Sequence, residues 1–196
     1  MREKHYLKCI VIVHGRSEKQ MCDYIKSNLR IQMDIVGDKK GGKSIQITSL
    51  GYTLNNTIFG KYDNFIKKYD NINWVKDGKK KKIDPEFKIF IIVDTDDCTE
   101  KQKKDFISKE MFRKHWAYDY IVPIYNSPEL ESVLTKANIP FEKKGTERKK
   151  EYIKIFPTSP KYEKRETIEL QDFCDNLRKV NSTNMNKFVE FCLNCS

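Results

Sequence analysis

Two short apolar runs constrain this chain more than any other feature. Residues 6–13 read YLKCIVIV and residues 87–94 read FKIFIIVD. Each is apolar at nearly consecutive positions, so both faces of the strand it forms must be covered. Neither approaches the roughly 20 residues that a membrane span needs. The runs therefore predict central strands of a mostly parallel sheet with helices on both sides, an α/β layered fold of Rossmann-like type.

The segments between and beyond them fit alternation. After the first run, Gly15 makes a turn, Ser17 can cap a helix and Glu18 suits its first turn. Met21, Cys22, Ile25 and Leu29 then recur at helical spacing. Residues 31–36 and 44–50 alternate like strands around a lysine- and glycine-rich loop. Leu54, Ile58, Phe65 and Ile66 predict a helix within 52–69, and VKDGKKKKIDPEF reads as a charged loop. Phe106, Ile107, Met111 and Phe112 predict an amphipathic helix over 99–116, followed by a strand over 118–125. Ser127 as N-cap and Pro128 at the first helical position open a helix over 127–138. From about residue 141 the chain is mostly helical and basic, with breaks near Pro157 and Asn181. The expected organisation is an α/β domain over 1–140 with a helical C-terminal extension over 141–196 packed on it.

Lys and Arg outnumber Asp and Glu by 38 to 28, a net charge of +10, which suits an anionic partner such as nucleic acid. Lys39, Lys40, Lys43, Lys79 and Lys80 are the expected backbone contacts, and the same run serves equally well as a solvated loop. Of six cysteines, Cys9 falls in an apolar strand and Cys22 on a helix face, both places for a small buried hydrophobe. A reduced, cytoplasmic chain without a membrane segment is expected. CLNC at 192–195 has the spacing of half a zinc site but no second pair stands nearby.

GDKKGGKS at 37–44 matches the phosphate-loop pattern letter for letter. That motif works only when a helix follows at once, and the alternating IQITSL behind it argues against one. DTDD at 94–97 carries more weight. In an extended segment residues i and i+2 point the same way, so Asp94 and Asp96 can share one hard cation while Asp97 points away. The alternative is that Asp96 or Asp97 caps the next helix. His14, Asp94, Asp96 and residues 126–131 all fall just after strands, where α/β sheets bind ligands. Glu131 by itself reads as a solvated helix charge.

CIVIVHGRSEK, then an apolar strand ending in DTD, then NSPELESVL, together resemble the Toprim domain. The order and spacing over about residues 6–140 are most similar to the RloB-like and overcoming-lysogenization-defect nuclease branch, which is linked to phage defence. Gly15, Ser17 and Glu18 match its first motif, Asp94 and Asp96 its Asp-x-Asp, and Asn126-Ser127-Pro128 leads to Glu131 at its offset. The resemblance implies a Mg²⁺- or Mn²⁺-dependent nuclease acting on DNA or RNA. In it Asp94, Asp96, Glu18 and Glu131 hold metal, and a separate ABC-type ATPase is the partner. The family's first-motif glutamate is His14 here, and histidine moves protons well but suits Mg²⁺ poorly. His14 is thus the expected proton carrier. The alternative is a catalytically reduced nucleic-acid or nucleotide sensor working with that ATPase. A phospho-acceptor domain built on Asp94 is a third reading, and it lacks its lysine after the strand at 118–125. Self-association is left open.

Overall fold

Both apolar runs become central strands in the computed structural model, which describes residues 6–37, 44–78, 80–139, 146–158 and 169–195. β1 (Cys9–Val13) is followed by α1 (Arg16–Leu29) and β2 (Met33–Val36). Next come α2 (Ile47–Asn55), a 3-10 turn (Ile58–Gly60), α3 (Tyr62–Lys68) and a hairpin of β3 (Trp74–Asp77) and β4 (Lys80–Ile83). β5 (Lys88–Asp94), α4 (Glu100–Ile107), β6 (Ile121–Asn126) and α5 (Leu130–Lys136) complete the alternation. Three helices close the chain: α6 (Thr146–Ile155), α7 (Leu170–Arg178) and α8 (Asn186–Asn194).

The main sheet has the order β2-β1-β5-β6, and all neighbours are parallel. This is the doubly covered α/β sheet that the apolar runs predict. Side chains alternate across it with period two. Cys9, Val11, Val13, Phe90, Ile92 and Ile124 face α1, α5 and the C-terminal helices in one core. Ile10, Ile12, Ile89, Ile91, Val93 and Ile121 face α2, α3 and α4 in the other. From β1 the chain moves to β2 on one side and later to β5 on the other. The order therefore reverses between β1 and β5, and the carboxyl ends of those strands frame the crevice where such sheets take ligands.

The C-terminal segment also seals the free edge of β6. Tyr125 N–H donates to Asn184 Oδ1 at 2.9 Å, Asn184 Nδ2 to the Pro123 carbonyl at 3.0 Å, and Ser127 N–H to the Ser182 carbonyl at 2.8 Å. Covering an edge in this way removes a template for unwanted pairing.

Several local expectations fail, each for a physical reason. Residues 47–50 are not strand but the start of α2, because Ile47, Leu50 and Leu54 at helical spacing bury together against the sheet. The helix expected over 52–69 is three pieces, divided at the 3-10 turn. There Gly60 packs so closely that a Cβ would lie 2.2 Å from the Asn55 carbonyl oxygen. The charged loop is a hairpin whose turn carries Gly78 at φ +60°, a conformation glycine adopts freely. The helix at 99–116 ends at Ile107 and continues as turns. Three caps also differ: Gly15 rather than Ser17 precedes α1, Thr99 rather than Asp97 caps α4, and Glu129 precedes α5, with a cis Ser127–Pro128 peptide before it. Thr99 wins because Gln102 completes a reciprocal pair, Thr99 Oγ1 accepting Gln102 N–H at 3.3 Å while Gln102 Oε1 accepts Thr99 N–H at 2.9 Å.

Candidate functional site

The register brings the strand ends level. His14 N–H donates to the Ile92 carbonyl at 2.8 Å, and Asp94 pairs with Asn126 across β5 and β6. The first turn of α1 sits above β1, and that of α5 follows β6. Three carboxylates carried by these elements are buried together: Glu18, Asp94 and Glu131 are 2%, 7% and 8% exposed. Carboxylates are almost never buried to this degree in a purely structural setting without compensation.

Each is held in place. Gly15 N–H donates to Glu18 Oε2 at 2.9 Å, which turns the glutamate back over the crest of the sheet. A Cβ at Gly15 would stand 3.3 Å from that oxygen, so a bare backbone lets the carboxylate approach. Asp94 Oδ1 accepts two hydrogen bonds, from Asn126 Nδ2 at 3.2 Å and from Leu130 N–H at 3.1 Å. The Thr183 hydroxyl lies 2.8 Å from the Tyr125 carbonyl and 3.0 Å from Asn126 Oδ1, and it accepts Met185 N–H at 3.0 Å. Asn126 Oδ1 is thus turned to Thr183 and its amide nitrogen to Asp94. The segment around Thr183, in the extension beyond residue 141, therefore reaches Asp94 through Asn126.

The electrostatics follow from this crowding. Burial first, then the Glu18 and Glu131 charges, push the Asp94 carboxyl up to about 8, against the pull of His14 and the Asn126 hydrogen bond. Tyr152 of α6 is buried beside them. Its hydroxyl is raised well above the usual phenol range by burial and by the Glu131 and Glu18 carboxylates, with Ser17 and Glu131 as side-chain partners. A neutral hydroxyl therefore sits beside the Glu131 and Glu18 carboxylates.

His14 Nδ1 lies 3.0 Å from the Ile45 carbonyl. A carbonyl only accepts, so Nδ1 carries a hydrogen and Nε2 is the ring nitrogen left for proton exchange. His14 also opposes the upward shift of Asp97, whose carboxyl is raised by burial and by Asp96. Both Asp97 oxygens and Thr95 Oγ1 are shut off from water without a geometric hydrogen-bond partner. Asp96 alone of this stretch is fully on the surface. So the structure brings Glu18, Asp94, Glu131 and His14 together and leaves Asp96 at the solvent edge.

Tyr152, Asn126 and Thr183 were missing from the sequence-derived set. Asn126 sits inside the NSP motif and was open to notice, whereas Tyr152 and Thr183 approach only through the fold. Lys103 adds a cation at the rim, donating to Ser127 Oγ at 3.0 Å. The lysines at 39, 40, 43 and 79 lie outside the described residues, as does the side chain of Lys80. A helix does follow the phosphate-loop pattern, but it begins at Ile47, three residues past Ser44 rather than at once, and residues 38–43 of the pattern are outside the described residues. Cys9, Cys22 and Cys192 are buried with thiols pushed up chiefly by that burial, as packed hydrophobes rather than thiolate ligands.

Among the described residues no three His, Cys, Asp or Glu side chains stand ready at metal-ligand spacing. Among them, too, no helix is long and apolar enough to cross a membrane. Compared with known protein families, curated proteins and solved structures, the chain matches none.

Proposed function

We propose that this chain is a divalent-cation-dependent nuclease that hydrolyses phosphodiester bonds of DNA or RNA. The observation that carries the reading is the Asp94 carboxyl, raised to about 8 among Glu18 and Glu131 at the strand-order reversal. Like charges crowded beyond what His14 offsets are relieved by a proton or by a hard cation. The donors are carboxylate oxygens, which suit Mg²⁺ or Mn²⁺. Mg²⁺ is commonly held by one or two carboxylates and its own waters, so a preformed cage of three is not required. Glu18, Asp94 and Glu131 would hold the ion, with Asp96 reachable from solvent. When bound, it would neutralise the scissile phosphate and acidify water.

The other residues have roles of their own. Gly15 and Asn126 fix the two inner carboxylates. Tyr152 places a neutral hydroxyl, rather than a further charge, beside Glu131. His14, with Nδ1 committed to Ile45, has Nε2 to accept or deliver a proton. Lys103 offers an ammonium at the rim to a phosphate. The net charge of +10 and the resemblance to a defence-linked Toprim branch support nucleic acid as substrate, phage defence as setting and an ATPase as partner.

One observation favours a second reading, a sensor that binds nucleic acid without cutting it. His14 stands where the resembling enzymes carry a glutamate, and its ring is tied to Ile45. Incubation of plasmid DNA and total RNA with Mg²⁺ or Mn²⁺ separates the two. Cleavage is expected from the native chain, with a fall of at least about 100-fold in Asp94→Ala. Retained gel-shift binding with no cleavage by the native chain under either metal would establish the sensor instead.

A further inference from the structure

A cavity lies away from the carboxylates. Its volume is about 540 Å³, and it opens between α2, the 3-10 turn, α3 and the segment after α4. That volume is in the range of small-molecule sites. Ile45, just before α2, is bound to His14, whereas Gly51, Leu54 and Asn55 of α2 line the cavity. At 1.5 Å per residue, the rise along α2 from Ile47 to the lining residues runs from about 6 Å at Gly51 to about 12 Å at Asn55.

Three features of the lining point to one chemistry. The first is a fixed aromatic wall. Trp116 Nε1–H donates to the Phe59 carbonyl at 2.6 Å, and its ring packs 4.7 Å from Phe65 and 5.3 Å from Tyr62. With its polar handle satisfied, the indole offers apolar surface at little entropic cost. The second is a pair of ammonium groups, Lys61 and Lys114, both exposed at the rim. Among the described residues neither is held in an ion pair. The third is Asn55 and Asp63, an amide-bearing and a carboxylate-bearing residue that also line the space. Ring surface, compact cations, and a donor–acceptor pair answer respectively to a base, a phosphate and the base edge.

We propose that this cavity binds a nucleoside monophosphate moiety, either as a free nucleotide or as the terminal nucleotide of a strand. The proposal does not rest on metal-dependent cleavage and stands if no cleavage is found.

Gly51 provides a clean block. It lines the cavity in the interior of α2, and a Cβ there would meet nothing within 4 Å. Replacing a helical glycine by leucine also favours the helix, so Gly51→Leu fills the space with Tm kept or raised. The full chain carrying Trp74→Phe leaves Trp116 as its one tryptophan. Its fluorescence is titrated with AMP, GMP, adenosine and inorganic phosphate, and with a 5′-phosphorylated trinucleotide.

Saturable quenching by a monophosphate, with Kd below about 1 mM, is expected, and phosphate alone leaves the signal unchanged. Lys61→Ala with Lys114→Ala weakens binding at least about tenfold, and Gly51→Leu abolishes it. Both lysines are exposed, so that double variant tests the site even if Gly51→Leu fails to fold. Saturation by the trinucleotide but not by AMP or GMP assigns the site to a strand end; saturation by the free nucleotides assigns it to them. Nucleotide binding no tighter than phosphate, or binding indifferent to both variants, overturns the proposal.

Discussion

The carboxylate crest and the aromatic cavity are built on opposite principles. At the crest, Glu18, Asp94 and Glu131 are buried at a cost, and Thr95 and Asp97 keep oxygens that make no hydrogen bond. At the cavity, the Trp116 indole N–H is satisfied and the rings of Phe59, Phe65, Tyr69 and Trp116 lock one another, with His115 Nε2 the one buried polar atom among the described lining residues that lacks a geometric hydrogen-bond partner. One region stores unfavourable electrostatics, and the other stores packing. Groups that disagree with their surroundings mark where a fold has been bent toward a task.

The contrast can be broken first where packing is densest. Phe65 is fully buried, with ring contacts to Phe59, Tyr69, Phe87 and Trp116 at 5.9, 5.0, 6.2 and 4.7 Å. Phe65→Ala removes that keystone and should cost about 3–5 kcal/mol, read as a lowered denaturant midpoint at unchanged slope. A loss below about 1 kcal/mol would mean that the cluster collapses around the gap and was never rigid.

The crest predicts a change of the opposite sign. Asp94 has a folded-state value of about 8 against an ordinary 3.8. Between those values the folded chain binds more protons than the unfolded one, so this group makes stability fall as pH rises from about 4 to 8. Its contribution is full below that window and lost above it. Asp94→Asn removes the charge while leaving Oδ1 able to accept Leu130 N–H. The variant should therefore be more stable than the native chain by at least about 2 kcal/mol at pH 8.5 and equal to it near pH 4. Thermal unfolding at the two pH values reads the difference. A destabilised variant at both would make Asp94 a structural cap for α5 and nothing more.

How much of this could be read from the chain itself follows the same division. β1, β5 and β6 were legible because apolar runs covered on two faces have few other homes. Asp94 stood out because it ends one of those strands, whereas Glu18 and Glu131 read by themselves as ordinary helix charges and entered only through the resemblance. α2 was hidden because Ile45 and Ile47 alternate like a strand, although Ile47, Leu50 and Leu54 fit a helix equally, and only burial against the sheet decides. The β3–β4 hairpin was hidden behind its lysines, although Asp77-Gly78 is a turn signal. Asp97 was misplaced because Thr99 and Gln102 make the better cap. The cavity was out of reach, since Trp116 meets Tyr62 and Phe65 across about fifty residues of chain. Local periodicity speaks of elements; convergence at a site depends on register.

Thr183 gives the finest test of that convergence. Its hydroxyl serves the Tyr125 carbonyl, Asn126 Oδ1 and Met185 N–H. Thr183→Val keeps the shape and deletes these bonds, at a cost of about 1–2 kcal/mol. Thr183→Ser should restore most of it. The more telling effect is on Asp94. Without Thr183 the Asn126 amide is no longer held with its nitrogen toward Asp94, and that hydrogen bond is one of the two influences that lower the Asp94 value. Its loss should carry the proton affinity of Asp94 higher, so stability keeps falling with pH beyond the native window in Thr183→Val and not in Thr183→Ser. Stability measured across pH 5–9.5 distinguishes this from simple edge weakening, which would lower the whole curve by a constant amount and leave its shape alone. A parallel curve would confine Thr183 to sealing β6, and a displaced one would make it part of the site.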